Sequence, residues 1–384
     1  MLDYESTAEI FDTDIFGNIA TSGGSTSRAG AFSLWRSSKL SLVRVIVREN
    51  TAQLGGELSE GGGICLQQSS LMVIDSEFRG NVASNGGSES RGGFASMHAP
   101  STAVFEGSRF ASNHAASGVQ RSLGGAIWAG EGTSTIVLAS SSLMFNIASG
   151  TGAARGGALF GGAGVAVQIS DSELIVNTAD GGLAEGAGIW FAGESLDVKN
   201  GTLANNSAVA KGMDGSALGA ALFLQGLSVK LVDCTVVHNT AIIAGSAVRA
   251  SGGAVHCAIG TFTQLIGCTL HGNAAGGKGK YQTLLEFYAL AITAQRESSA
   301  MHIYTVGNLV LDHCLLIERT VAGIEYPASY WIVSDGGRVI LHDSIFETQV
   351  SQPTIHSYCA ATFALAVDRA RIAQDRASGA RRGQ

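Results

Sequence analysis

An asparagine returns along this chain at an almost constant interval, and that regularity restricts the possible folds more than any other feature. The triplet Asn-x-Ala occurs at Asn18, Asn50, Asn81, Asn113, Asn146, Asn177, Asn206, Asn239 and Asn273, with spacings of 29 to 34 residues. Three residues before each asparagine stands an apolar side chain: Ile15, Val47, Phe78, Phe110, Leu143, Leu174, Leu203, Val236 and Leu270. Five residues before it stands a slim one, including Ser76, Ser108, Ser141, Ser172, Cys234 and Cys268. A fixed period of this length is the signature of a repeat array, in which a unit buries its apolar face only against its neighbours.

A second element keeps the same beat. It reads "GGAI" at 124–127, with relatives "AGAF" (29–32), "GGGI" (61–64), "RGGF" (91–94), "GGAL" (156–159), "GAGI" (186–189), "GAAL" (219–222) and "GGAV" (252–255). Aligned this way, the third place is Gly or Ala and the fourth is large and apolar. From that apolar residue to the next Asn there are 17 to 19 residues, and from Asn to the next such residue 12 to 16. The more variable interval carries "SNGGSESRGG" and "SGVQRSLGG", whose Gly and Ser content predicts exposed loops.

Around each Asn the sequence alternates, as in "LMVIDSEFRGN" and "VAVQISDSELIVN". Period-two apolar spacing with β-branched residues is strand chemistry. The 52 glycines crowd every segment, and each would cost a helix about 1 kcal/mol. A unit of two or three short strands cannot close its own core, so equivalent strands must stack, about 4.8 Å per layer. The fold expected is all-β: a right-handed parallel β-helix of about ten or eleven coils, with a period of about 32 residues. In such a fold the asparagines form an inward column, each amide bonding the next layer, because a buried unpaired amide costs about 1–3 kcal/mol. A leucine-rich repeat also carries an Asn, but its period is shorter and leucine-dense. Regular repeats are expected over 1–275, an insertion over 276–301, degenerate final coils over 302–359, and a tail or short capping helix over 360–384. In the degenerate part, Glu318 and Gln349 are the expected successors of the asparagines.

The joint "GGAI" and "F-x-x-N" elements, with "FASN" at 110–113, resemble the repeat of the polymorphic outer-membrane protein family over roughly residues 10–275. The wider architecture is similar to the pectin-lyase-like superfamily. The resemblance implies an extracellular or surface-displayed stalk, adhesive in character, with glycans or surface proteins as partners. The N-terminal "MLDYESTAEIFDTDIF" is acidic and does not read as a signal peptide, and no apolar run is long enough to span a bilayer, so a fragment of a longer precursor is expected. A formal charge of −7, spread along the chain, argues against a nucleic-acid partner.

The pectin-lyase-like resemblance also raises a carbohydrate-active enzyme, a lyase or a hydrolase, which needs converging carboxylates. The best constellation is Asp312, His313, His342 and Asp343, with Asp312 and Asp343 expected in adjacent layers from their 31-residue offset. Against it, Asp12, Asp75, Asp171 and Asp233 recur at the same place before the apolar residue and read as turn residues. The nine histidines show no ligand spacing, so neither metal nor cofactor is expected. Cys234 and Cys268 share a column within disulfide reach, and a stack of two buried thiols is the plainer reading. Asn200 in "NGT" and Asn205 in "NNS" are candidate glycosylation acceptors. The leading expectation is a non-enzymatic adhesive or structural scaffold.

Overall fold

Alternating side chains with β-branched residues form short strands, and the turns between them are set by columns of left-handed backbone. One coil shows the plan: strands Thr102–Glu106, Arg109–Ala111, His114–Ser117, Arg121–Leu123 and Ile127–Ala129, after which the chain re-enters the first position one layer up. Corresponding strands of successive coils pair in parallel, giving, among the described residues, five sheets of 12, 12, 9, 8 and 11 strands in coil order. The chain is an all-β, right-handed parallel solenoid, and among the described residues eight coils carry all five strands. The computed structural model describes residues 1–278 except 23, 55, 86, 213–214, 245–248 and 259; beyond 300 it describes nine strands between Met301 and Gln374, together with Cys314 and Asp343. Among the described residues there is no helix, and none long and apolar enough to cross a membrane.

Each coil has two internal compartments. The main lumen lies between the first, second and fifth sheets and is filled by Leu71, Val73, Phe78, Phe94, Phe105, Phe110 and their equivalents, all buried. Four of these rings interlock, with centroids 4.1 Å apart for Phe78–Phe94 and 5.0 Å for Phe105–Phe110. A second, thinner compartment separates the third and fourth sheets. It is lined by the alanines of the Asn-x-Ala triplets, such as Ala148, Ala179 and Ala208, against Ala154, Ala184 and Ala217. In earlier coils serines occupy the fourth-sheet side and donate across the gap, Ser59 Oγ to the Ser84 carbonyl at 2.9 Å and Ser90 Oγ to the Ala116 carbonyl at 2.7 Å. A larger side chain after Asn would force these two layers apart, which explains the invariant alanine.

The neck between the two compartments explains both motifs. On one wall the asparagines stack: Asn81 Nδ2 donates to Asn113 Oδ1, and Asn113 Nδ2 to Asn146 Oδ1, each at 3.0 Å. The ladder runs on through Asn177, Asn206, Asn239 and Asn273. On the other wall lie the glycine pairs. Gly124 has φ +64°, a left-handed conformation that glycine adopts without strain. A Cβ on Gly125 would meet the Gly157 carbonyl at 2.0 Å and the Ile147 backbone at 2.6 Å, so the chain itself fills the space. The slim column five residues before Asn is also a ladder, with Ser172 Oγ accepting from the Ser141 amide at 3.0 Å.

Three details differ from the sequence expectation. Register pairs Ala95 with Ile127, so Phe94 takes the small third place of the motif rather than the fourth. It fits because the third place one coil earlier is Gly63, where a Cβ would approach the Phe94 ring to 2.8 Å. Glu318 does not follow Asn273: it continues the strand Leu315–Glu318, whose Ile317 pairs with His271, two residues before Asn273. Glu318 pairs with Thr348, while Gln349 lies outside the described residues. Within 360–384, strands Ala364–Asp368 and Arg371–Gln374 extend the first and second sheets, where a tail or capping helix was expected. Most of the 276–301 segment lies outside the described residues.

Candidate functional site: a charged and aromatic corner

The fourth and fifth sheets meet at the glycine turn, and their outward-facing side chains are pressed into the angle between them. From the fourth sheet come Arg28, Glu60, Arg91, Leu123, Arg155, Glu185, Leu218 and Ser251, one per coil and in register. From the fifth come Ser33, Cys65, Ser96, Trp128, Phe160, Trp190, Phe223 and His256. The rings from Trp128 to His256 stack almost parallel: Phe160–Trp190 centroids are 4.4 Å apart at 1°, and Phe223–His256 5.1 Å at 8°. They form a cluster separate from the lumen. The sequence does carry a signal for it, since Trp128, Phe160, Trp190, Phe223 and His256 each follow the "GGAI" element directly.

Charges here are matched layer by layer. Arg155 Nε lies 2.7 Å from Glu185 Oε2, which also accepts from the Trp190 indole N–H at 3.0 Å, while the Arg155 guanidinium sits 5.1 Å from the Trp190 ring centre. At the N-terminal end Glu60 is fully buried. Its Oε2 accepts from Arg28 Nε at 2.8 Å, and its Oε1 accepts from Arg91 Nη1 at 3.0 Å. Arg91 keeps a second carboxylate, Glu89, at 2.7 Å. Burial alone would push the Glu60 carboxyl up, but His98, Arg91 and Arg28 hold it down at about 2. Burial pushes the neighbouring Cys65 thiol up to about 12. The donor atoms of Glu60, Cys65 and His98 all lie within 4.8 Å of one another, the set here best suited to hold a metal ion.

The sequence-derived candidates fall elsewhere. Asp312 pairs laterally with His342, an offset of 30 rather than 31, so Asp312 and Asp343 are out of register. Asp343 has φ +42° and occupies a left-handed turn, like Asp12, Asp75, Asp171 and Asp233. His313 and the side chain of His342 lie outside the described residues. Cys234 and Cys268 are buried unbridged thiols, each bonding the carbonyl two residues back as the column serines do, at 3.3 and 3.4 Å. Asn200 and Asn205 are exposed turn residues with φ +51° and +56°, and Asn200 Nδ2 donates to Asp171 Oδ1 at 3.0 Å. Comparison of the chain with family models, with curated proteins and with solved structures gives no match.

Proposed function

We propose that the protein is a non-enzymatic repeat scaffold, secreted or displayed at a cell surface, that presents the long side walls of the solenoid to glycans or surface proteins. The observation that carries this reading is that recurring polar side chains are matched to their equivalents in neighbouring coils. Arg44 meets Asp12 at 2.7 Å, Arg109 meets Glu77 at 2.8 Å, and Arg155 meets Glu185 at 2.7 Å, each pair one coil apart. Side chains spent this way stiffen a rod and leave the walls as repeating surfaces. The shallow depression between the first and second sheets, lined by Arg44, Asp75, Glu77 and Arg109, is built from such pairs. The resemblance of the repeat to that of the polymorphic outer-membrane proteins supports the same reading.

The test is a glycan array together with adhesion of labelled protein to cultured cells. Saturable binding to either is the expected result; failure of both removes the proposal. A panel of pectins and alginates run in parallel tests for a carbohydrate-active enzyme. Turnover lost in Asp312→Ala or Asp343→Ala would replace the scaffold reading with catalysis.

A further inference from the structure

We propose that Glu60, Cys65 and His98 form a binding site for a divalent transition metal of borderline softness, with Zn²⁺ the ion whose preferences this donor set fits. Glu60 ends a fourth-sheet strand, Cys65 lies mid-strand in the fifth sheet of the same coil, and His98 ends the fifth-sheet strand of the next. Carboxylate oxygen, thiolate sulfur and imidazole nitrogen are the three ligand types zinc accepts, and three protein ligands suffice for a site with one open position. Glu60 and Cys65 are fully buried, while the His98 side chain is 25% exposed and forms the rim through which an ion would enter.

A second observation points to the same place. Three buried side-chain polar atoms among the described residues have no hydrogen-bond partner, Ser96 Oγ, His98 Nε2 and Trp128 Nε1, and all three border this corner. His98 Nε2 is 3.1 Å from Glu60 Oε1 but not aligned as a hydrogen bond. Two coils further on, the equivalent indole of Trp190 is satisfied by Glu185, whose place beside Trp128 is taken by Leu123. Native interiors rarely leave such atoms unpaired, and of the three it is the His98 nitrogen that a metal ion would take up, since an indole N–H can only donate. Ser96 adjoins the Cys65 sulfur, so its hydroxyl can donate to a thiolate formed there.

The two arginines do not prevent this. Arg28 holds Glu60 Oε2 and can stay, orienting the carboxylate from outside the ligand set. Arg91 would release Oε1 to the ion and keep Glu89. Binding forms an M–S bond, and the Cys65 proton passes to solvent; nothing is oxidised or reduced.

The whole chain, stripped with a chelator, is titrated with Co²⁺ and then back-titrated with Zn²⁺. We expect a thiolate-to-cobalt charge-transfer band, about one proton released per ion, and displacement by Zn²⁺. Cys65→Ala should abolish the band, and His98→Gln should weaken Co²⁺ binding at least about tenfold, with strand content unchanged by circular dichroism. Absence of the band, or its survival in Cys65→Ala, overturns the proposal; survival would place the thiolate at another of the six cysteines. X-ray absorption of the Zn²⁺-loaded wild-type chain gives a check independent of variants, and a zinc shell without sulfur is equally fatal.

Discussion

Replacing Asn113 with Ala tests whether the amide column holds the coils together. The Asn113 side chain donates from Nδ2 to Asn146 Oδ1 and to the Phe78 carbonyl, both at 3.0 Å. Its Oδ1 accepts from the Asn81 amide at 3.1 Å and from Asn81 Nδ2 at 3.0 Å. Truncation leaves two Asn81 donors without a partner, because the other Asn81 Nδ2 hydrogen already serves the Val47 carbonyl. Asn81 and Asn113 are fully buried, so water does not replace the lost acceptor. At about 1–3 kcal/mol per orphaned buried group, the loss is about 4 kcal/mol. A solenoid can open coil by coil, so the readout is amide hydrogen exchange of the coils around Asn81 rather than a global melting curve. About 4 kcal/mol corresponds to exchange faster by about a thousandfold. Asn18→Ala is the control: Asn18 is exposed and donates to Asn50 at 2.8 Å, but water can substitute, so its effect should stay under about 1 kcal/mol. If Asn113→Ala accelerates exchange by less than about tenfold, the ladder is not a principal source of stability.

Glu185→Leu, which strands Arg155 and the Trp190 indole N–H, should cost about 2–4 kcal/mol by hydrogen exchange of its coil, and adding Arg155→Leu should recover the part due to the stranded guanidinium, since Leu123 already occupies this column, while the indole N–H stays unpaired. Gly125→Ala should cost about 1–3 kcal/mol, because the neck backbone must move, whereas Ala187→Gly should change stability by less than about 1 kcal/mol, since that coil already accommodates a methyl group. Glu60 has a folded-state pKa held at about 2 against an ordinary 4.5, so its contribution of about 3 kcal/mol is present above 4.5 and lost as pH falls toward 2. Hydrogen-exchange protection of the coils around Glu60, corrected for the intrinsic pH dependence of exchange, should show that drop in the wild type, while Glu60→Gln, less protected at pH 7, should lack this component; equal acid sensitivity in the two would refute it. Cys268 beside it and burial both push the Cys234 thiol up, so an aromatic disulfide reagent should label it only on unfolding.

The periodicity of Asn, of the residue three before it and of "GGAI" determined the solenoid, its parallel stacking and the inward asparagines. Each of these follows from a local rule repeated at a fixed interval, and stacking converts interval into column. Phase was harder to read: "RGGF" looks aligned on its Phe, yet Phe94 fills a space that exists only because Gly63 lies beneath it. The degenerate coils show the same limit, since an offset of 30 instead of 31 moves Asp343 away from Asp312.

What only the tertiary structure decided is where the chain bends back on itself. Sequence shows strands and turns but not that the third and fourth sheets form a thin arm, nor that the next angle opens outward. That angle buries side chains that alternation assigns to solvent, bringing Glu60 and Cys65 against His98 from the neighbouring coil. Linear ligand spacing cannot reveal such a set, because its members meet across layers whose separation is set by backbone hydrogen bonds.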